Sequence, residues 1–309
     1  MTTFISICIA TYKRPEGLAR LLEGIDNLRF SELDAPKIEV VIADNDREGS
    51  AKPVYESVKP TFKWELVYGV EPQQGVTFAR NRSLLLASPD AEFFVFIDDD
   101  EVPSPFWLET LLLCQKEYQA DIVTGPVVPK FEATEVPDWI VKGGFFDPAQ
   151  HETGKLMGVA FTNNTLAKSH LLQGLEHPFD DRLAFKGAED VDLFTRFFAE
   201  GGKIVWCSEA IVYEFIPENR MRIKWLVDRN YYGYSAHSLT EKKYFPSLFI
   251  QTQRVIKGCL NIVLGLCLLI PGLLLGRHRL AQALIYVYRG LGSLSGLFNI
   301  QGDWGGANR

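Results

Sequence analysis

The sequence contains few cysteines, and they are not arranged to build a site. Cys8, Cys114, Cys207, Cys259 and Cys267 are scattered through 309 residues, with no CxxC pair and no Cys/His cluster at zinc spacing. An odd count without a framework fits a reducing compartment, and all five are expected as small buried apolar residues. A basic field is also lacking. The formal net charge is −7, which argues against a general nucleic-acid binder and means that an anionic substrate needs local cations or a metal. No basic leader precedes the first apolar run, residues 4–10, which stops at Thr11-Tyr12-Lys13-Arg14 and is expected as a strand rather than a signal peptide. There is no internal repeat and no low-complexity tract. An apolar share of 47% with 23% charged residues argues against global disorder.

What is present alternates between two periods. Residues 4–10, 38–43, 64–68 and 92–97 are short and rich in β-formers, and each reads as a buried strand. Pro15 opens a helix whose apolar face is Leu18, Leu21, Leu22, Ile25 and Leu28, and residues 76–87 form another. Strands alternating with helices imply right-handed βαβ units and a mostly parallel sheet, with ligands bound at the carboxyl ends of the strands. Three strands end in Thr11-Tyr12, Asp44-Asn45 and Asp98-Asp99-Asp100, so three polar clusters are expected on one edge. Further on, 121–128 and 156–161 are expected to add mixed strands, as are 203–206 and 210–213. Helices are expected over 188–200, closed by Gly201-Gly202, and over 219–240.

Three features carry chemistry. Asp98, Asp99 and Asp100 repel one another, and a divalent cation is the simplest means of offsetting them; a solvated turn or helix N-cap before Pro103 accounts for them equally well. Hard oxygen ligands favour Mg2+ or Mn2+, which also bridge the two phosphates of a diphosphate leaving group. Glu189 and Asp190 open a helix, where the dipole alone favours acids, but the acidic count exceeds what capping needs, and Asp190 suits a general base for a hydroxyl. Arg80 follows a glycine loop at a helix start, a plausible anion site.

Taken together, Ile5–Pro15, Val41–Asn45, Gly75 with Ala79-Arg80-Asn81, Phe96–Asp100 and Gly187–Leu193 stand in an order and spacing that resembles the family 2 inverting glycosyltransferases of GT-A fold, over residues 4–235. The resemblance implies a Rossmann-like α/β domain that takes a nucleotide-sugar donor, UDP-linked by default, and a hydroxyl acceptor on a glycan or lipid-linked glycan. It implies that Thr11, Tyr12 and Arg14 border the nucleotide, that Asp44 accepts a hydrogen bond from the base beside Asn45, and that Arg80 holds the nucleotide. Asp98, with Asp99 beside it, would lie nearest ribose and metal, and Asp100 would be the principal metal ligand. Asp190 would be the catalytic base, flanked by Glu189. Many relatives carry a histidine after the last short strand; here Glu214 stands as a candidate metal ligand and Arg220 as a candidate diphosphate partner. Trp139, Phe145, Phe146, Asn163 and Asn164 are expected to shape specificity.

The catalytic domain is expected over 1–240 and an apolar helical, membrane-associated segment over 241–309. The uncharged run from Cys259 to Gly276 has about the length that crosses a bilayer, roughly 17–25 residues, though Pro271 interrupts it. Lys242, Lys243, Arg254 and Lys257 before it and Arg277, His278 and Arg279 after it suit the cytoplasmic face of a membrane. A second segment, 280–300, contains Arg289, so spanning helices, an interfacial pair and a buried hairpin all remain open. A nucleotidyltransferase would need a glycine-rich triphosphate loop that Thr11–Pro15 does not supply. A non-catalytic nucleotide-sugar sensor would have no use for both the acidic triplet and Asp190.

Overall fold

The computed structural model describes residues 3–302. In chain order the strands are β1 (Phe4–Thr11), β2 (Lys37–Asp44), β3 (Glu65–Val70), β4 (Phe93–Phe96), β5 (Glu101–Pro103), β6 (Ile122–Thr124), β7 (Val127–Phe131), β8 (Leu156–Met157), β9 (Thr165–Lys168), β10 (Ile204–Trp206) and β11 (Val212–Ile216). The helices are α1 (Pro15–Asp26), α2 (Lys52–Val58), α3 (Val76–Leu86), α4 (Trp107–Tyr118), α5 (Asp138–Gly143), α6 (Glu189–Ala199), α7 (Ile223–Tyr244), α8 (Leu248–Leu275) and α9 (Arg277–Leu297). They form two compact units, both discontinuous in sequence. Among the described residues the first comprises 3–128, 148–184 and 200–215, and the second 129–147, 185–199 and 216–302. The boundary expected at 240/241 falls inside α7, and residues 303–309 of the expected tail lie outside the described residues.

The first unit is built on an eight-stranded sheet of order β3-β2-β1-β4-β9-β6-β10-β8. The pairs β2–β3, β1–β2, β1–β4 and β6–β10 are parallel, whereas β9 runs antiparallel to both β4 and β6. Parallel strands covered on both faces need no polar alternation, which is why β1 is a continuous apolar run with Ile5, Ile7 and Ile9 fully buried. Pro15 occupies the first turn of α1, and Leu18, Leu21, Leu22 and Ile25 face the sheet from that helix.

Several expectations change. Of the run 156–161 only Leu156–Met157 is strand, and the antiparallel insertion β9 follows instead, too short to leave a period in the sequence. Strand β11 begins two residues later than expected and extends to Ile216. Helix α8 begins at Leu248, eleven residues before the uncharged run, and passes through Pro271 without ending. Cys8, Cys114 and Cys207 are buried as expected, but Cys259 and Cys267 are exposed, because α8 buries only Gly258, Gly265 and Gly272.

Asn164 is a knot in the core rather than a pocket residue. It is fully buried, accepts from Trp107 Nε1 (2.8 Å), and donates to the carbonyls of Pro126 (3.0 Å) and Ala210 (2.7 Å). Replacing it by alanine takes the partner from the Trp107 indole N–H and the Ala210 carbonyl, while the Pro126 carbonyl keeps the Val212 N–H (3.2 Å). Asn164→Ala is expected to destabilise the protein by about 2–4 kcal/mol, because each orphaned group costs about 1–3 kcal/mol and the site relaxes in part. Denaturant unfolding checks this, and a loss below about 0.5 kcal/mol would contradict it.

Candidate active site

Because β2, β1 and β4 are parallel neighbours, their carboxyl ends come out on one edge, and Thr11 stands directly opposite Asp44 in the register. Just past the end of β4 the chain turns through Asp98-Asp99-Asp100 into β5. The Asp98 N–H donates to Glu101 Oε2 (2.9 Å), and the Glu101 N–H donates to the Asp98 carbonyl (3.2 Å). Strand β5 pairs antiparallel with β11, which sets Glu214 opposite Glu101, and the Phe215 N–H donates to the Asp100 carbonyl (2.9 Å). The sequence-level guess for Glu214 thus falls on the strand beside the acidic turn.

Two arginines hold this turn. Arg14 Nη1 bridges Asp99 Oδ1 and Asp100 Oδ2, both at 3.0 Å, and Arg80 Nη2 reaches Asp98 Oδ1 at 3.2 Å. The Thr11 hydroxyl donates to Asp99 Oδ2 (2.8 Å). Helix α1 approaches so closely that a Cβ on Gly17 would lie 2.5 Å from the Asp99 carbonyl oxygen. The Asp99 carboxyl is pushed up to about 6, first by burial; Arg14 and the Thr11 hydroxyl oppose that rise, while Asp100 and Asp98 add to it. Glu101, fully buried and facing Asp98, Asp100 and Glu214, is held well above the usual carboxylate range, first by desolvation. Desolvation alone would lower the Arg14 guanidinium, but Asp99 and Asp100 outweigh it and hold it charged. The half-buried Tyr12 lies beside Lys13, which adopts a left-handed backbone (φ 53°) and places its ammonium 5.3 Å from the Tyr12 ring.

Asp44 and Asn45 organise loops. Asp44 is fully buried and accepts from the N–H groups of Asp46 (3.0 Å) and Ala51 (2.7 Å) and from the Tyr68 hydroxyl (3.0 Å). Asn45 donates to the carbonyls of Glu71 (3.1 Å) and Gln73 (2.7 Å) and accepts from the Gly75 N–H (2.8 Å). Gly75 has φ 145°, and a Cβ there would meet Ala184 at 2.8 Å, so the glycine ahead of Arg80 is required on two counts. Asn81, next to Arg80, clamps the backbone of Phe179 through its N–H (3.0 Å) and carbonyl (2.9 Å).

The candidate base belongs to the second unit. Gly187 (φ 69°) and Ala188 (φ 62°) are consecutive left-handed residues that turn the chain into α6. Tyr232 of α7 packs against Gly187 where any side chain would stand, and Gln301 Nε2 donates to the Gly187 carbonyl (3.3 Å). The three acids of the first turn of α6 then separate by environment. Glu189 is buried. Asp192 is buried and accepts from Lys243 Nζ (2.7 Å) and the Tyr244 hydroxyl (2.9 Å). Asp190 is half-exposed, accepting from the Val191 N–H at 2.7 Å, and of the three it is the one solvent reaches most readily. Trp139, Phe145 and Phe146 pack in the core of this unit, where Phe146 stacks on Trp225 at 5.7 Å between ring centres. Arg220 is buried with its guanidinium 5.8 Å from that Trp225 ring.

Among the described residues no group of three His, Cys, Asp or Glu side chains forms a metal cage. The donor set fits a cation of another kind. Mg2+ is commonly held by one or two carboxylates, with phosphate oxygens and water completing the octahedron, and Asp98 and Asp100 supply that number.

Removing Arg14 leaves Asp99 and Asp100 facing each other without their shared cation. Arg14→Ala is expected to cost about 1–3 kcal/mol, less than a fully buried pair because Arg14 is itself partly exposed. Thermal or denaturant unfolding measures it, and wild-type stability in the variant would contradict the role assigned to Arg14.

The sequence matches the family model described as glycosyl transferase family 2 over residues 6–172. The succinoglycan biosynthesis protein ExoM of Rhizobium meliloti (strain 1021) is 32% identical over 243 residues, spanning 78% of this chain and 77% of that protein. Among solved structures, S. aureus TarS 1-349 in complex with UDP shares the fold at a TM-score of 0.53 and 15% identity, covering 97% of this chain and 92% of that one. A further S. aureus TarS structure gives 0.50 at 16% identity over 95% of this chain and 55% of its own length. The family match covers more than half of the chain and contains the whole acidic turn with both of its arginines: the chain belongs to glycosyl transferase family 2 and is a glycosyltransferase.

Proposed function

We propose that the enzyme transfers a sugar from a UDP-sugar to a hydroxyl of a growing surface polysaccharide or lipid-linked glycan, with inversion, at the cytoplasmic face of a membrane. The observation that carries this reading is the acidic turn at the sheet edge, where Asp98, Asp99 and Asp100 stand together with Arg14 and Arg80 beside them. These hard oxygen donors suit Mg2+ or Mn2+ at Asp98 and Asp100, with Glu214 on the adjacent strand. The UDP bound by TarS supports the choice of nucleotide, and the succinoglycan relative supports the class of product. Thr11, Tyr12 and Arg14 border the nucleotide in this reading, and Asp44 and Asn45 shape the loops around its base.

When bound, the metal supplies Lewis-acid stabilisation of the departing diphosphate. The chain's own groups do the rest. Asp190 takes the proton from the acceptor hydroxyl as that oxygen forms its bond to the anomeric carbon. The bond from that carbon to the diphosphate oxygen breaks with its electron pair, and Arg80 offsets charge on the leaving group. A single displacement inverts the anomeric centre. The buried Glu189 and the clamped Asp192 keep the first turn of α6 in place around Asp190.

Two measurements test the reading. UDP release from a panel of UDP- and GDP-sugars is expected to require Mg2+ or Mn2+ and to stop in chelator; Asp100→Ala should abolish rescue by added metal. Full activity in chelator would remove the metal from the mechanism. Asp190→Asn is expected to lower turnover by about 10²-fold or more with donor affinity unchanged, since general-base contributions are of that size. Near-normal turnover would leave Asp190 only a helix-capping role.

A further inference from the structure

Helix α8 turns its glycines inward and its large side chains outward. Gly258, Gly265 and Gly272, seven residues apart, are its only buried residues, whereas Ile270 is 72% exposed and Leu274 82%. The three glycines lie directly on α9. A Cβ on Gly265 would be 2.7 Å from the Ala283 carbonyl oxygen, one on Gly272 would be 3.0 Å from Leu280 Cα, and one on Gly290 would be 2.5 Å from the Gly258 carbonyl oxygen. The two helices are therefore antiparallel and in backbone contact along the whole uncharged run, the packing that small residues permit.

The other face of α9 is occupied by α7. Arg289 Nε donates to Asn230 Oδ1 (2.7 Å), the Tyr231 hydroxyl to Ser295 Oγ (2.9 Å), the Ser238 hydroxyl to the Ser293 carbonyl (2.7 Å) and Lys242 Nζ to the Leu297 carbonyl (2.7 Å). Helix α8 cannot enter a bilayer end-on without taking α9 and then α7 with it. Helix α7 carries Lys224, Asp228, Arg229, Glu241, Lys242 and Lys243. Helix α8 is long and apolar enough to cross a membrane, but each charge at the bilayer centre opposes insertion strongly, so what is packed behind α8 disfavours a spanning orientation.

Charge identifies what covers the outer face. From Lys242 to Gly302 there are seven Lys or Arg residues and no Asp or Glu, and of these Arg254 pairs with Glu241, Lys243 with Asp192, Lys242 with the Leu297 carbonyl and Arg289 with Asn230. Lys257, Arg277 and Arg279 are exposed at the two ends of the apolar run. A second copy seated on this face would bring the same positive charge and no carboxylate to meet it. An anionic leaflet offers both hydrocarbon and phosphate.

We propose that α8 is an in-plane membrane anchor, lying along an anionic leaflet with Ile256, Val263 and Ile270 below the headgroups and Lys257, Arg277 and Arg279 at phosphate level. This rests on the membrane association in the proposed function and specifies its geometry. The test uses the full chain with Cys259→Ser and Cys267→Ser, and a spin label at Ile256→Cys, Val263→Cys or Ile270→Cys in turn, bound to phosphatidylglycerol/phosphatidylethanolamine vesicles. Depth is read from relief by oxygen against a water-soluble nickel chelate. Seven residues advance a helix by about 10 Å, so a spanning helix would step by about that depth between labels, whereas the in-plane helix is expected to give one depth within about 5 Å. A graded series overturns the in-plane geometry and leaves membrane association standing. Labels equally open to the nickel chelate with and without vesicles overturn both. Labels shielded without vesicles, together with a doubled mass, assign the face to a second copy. Lys257→Gln with Arg279→Gln is expected to weaken vesicle partition by about fivefold per charge, and an unchanged partition would overturn the phosphate-level placement.

Discussion

Three consecutive aspartates, Asp98 to Asp100, crowd together at the mouth of a buried sheet, with Glu101 behind them held well above the usual carboxylate range, and much of the first unit is arranged to keep them there. Arg14 reaches them from the start of α1, Arg80 from the first half of α3 and Thr11 from the end of β1, so three segments distant in sequence meet on one turn. The close approach at Gly17 brings α1 near enough for Arg14 to bridge two aspartates. Pairing of β5 with β11 fixes the far side of the turn and sets Glu214 opposite Glu101, whose carboxyl it helps to raise. The result is a cluster of acidic side chains held in place by α1, α3 and the end of β1 at the carboxyl edge of the sheet.

The frame was readable in the sequence because its cause is local. Short apolar runs alternating with helical periodicity give parallel strands, and parallel strands send Thr11, Asp44 and Asp98–Asp100 to one edge. Side-chain duties were less readable because their partners are remote. Nothing near Asp44 in sequence announces that its carboxylate will receive Ala51 and Tyr68, and nothing near Asn164 announces Trp107 and Ala210. Arg14 was expected at the nucleotide and is found bridging the acidic turn, two positions that a guanidinium with five donors can serve together.

The C-terminal region was read as apolar and basic, and both properties hold. What the sequence could not convey was the stacking order. The glycines of α8 look like weak points in a hydrophobic run until α9 is set against them, and Arg289 looks out of place in α9 until Asn230 of α7 receives it. Exposure of Cys259 and Cys267 follows from the same arrangement, since a helix that buries its glycines must present its larger residues.

The clamp on Asp192 joins two matters that the sequence keeps fifty residues apart. Its partners, Lys243 and Tyr244, are the last two residues of α7, and only Phe245, Pro246 and Ser247 separate them from α8. Three residues reach at most about 10 Å, and a proline among them stiffens the link. The helix that presents Asp190 is therefore tethered on a short leash to the helix with the most apolar exterior in its unit. If a membrane holds α8 as proposed, this leash sets the elevation of Asp190 above it, and with it the height at which the proposed base would meet an acceptor hydroxyl.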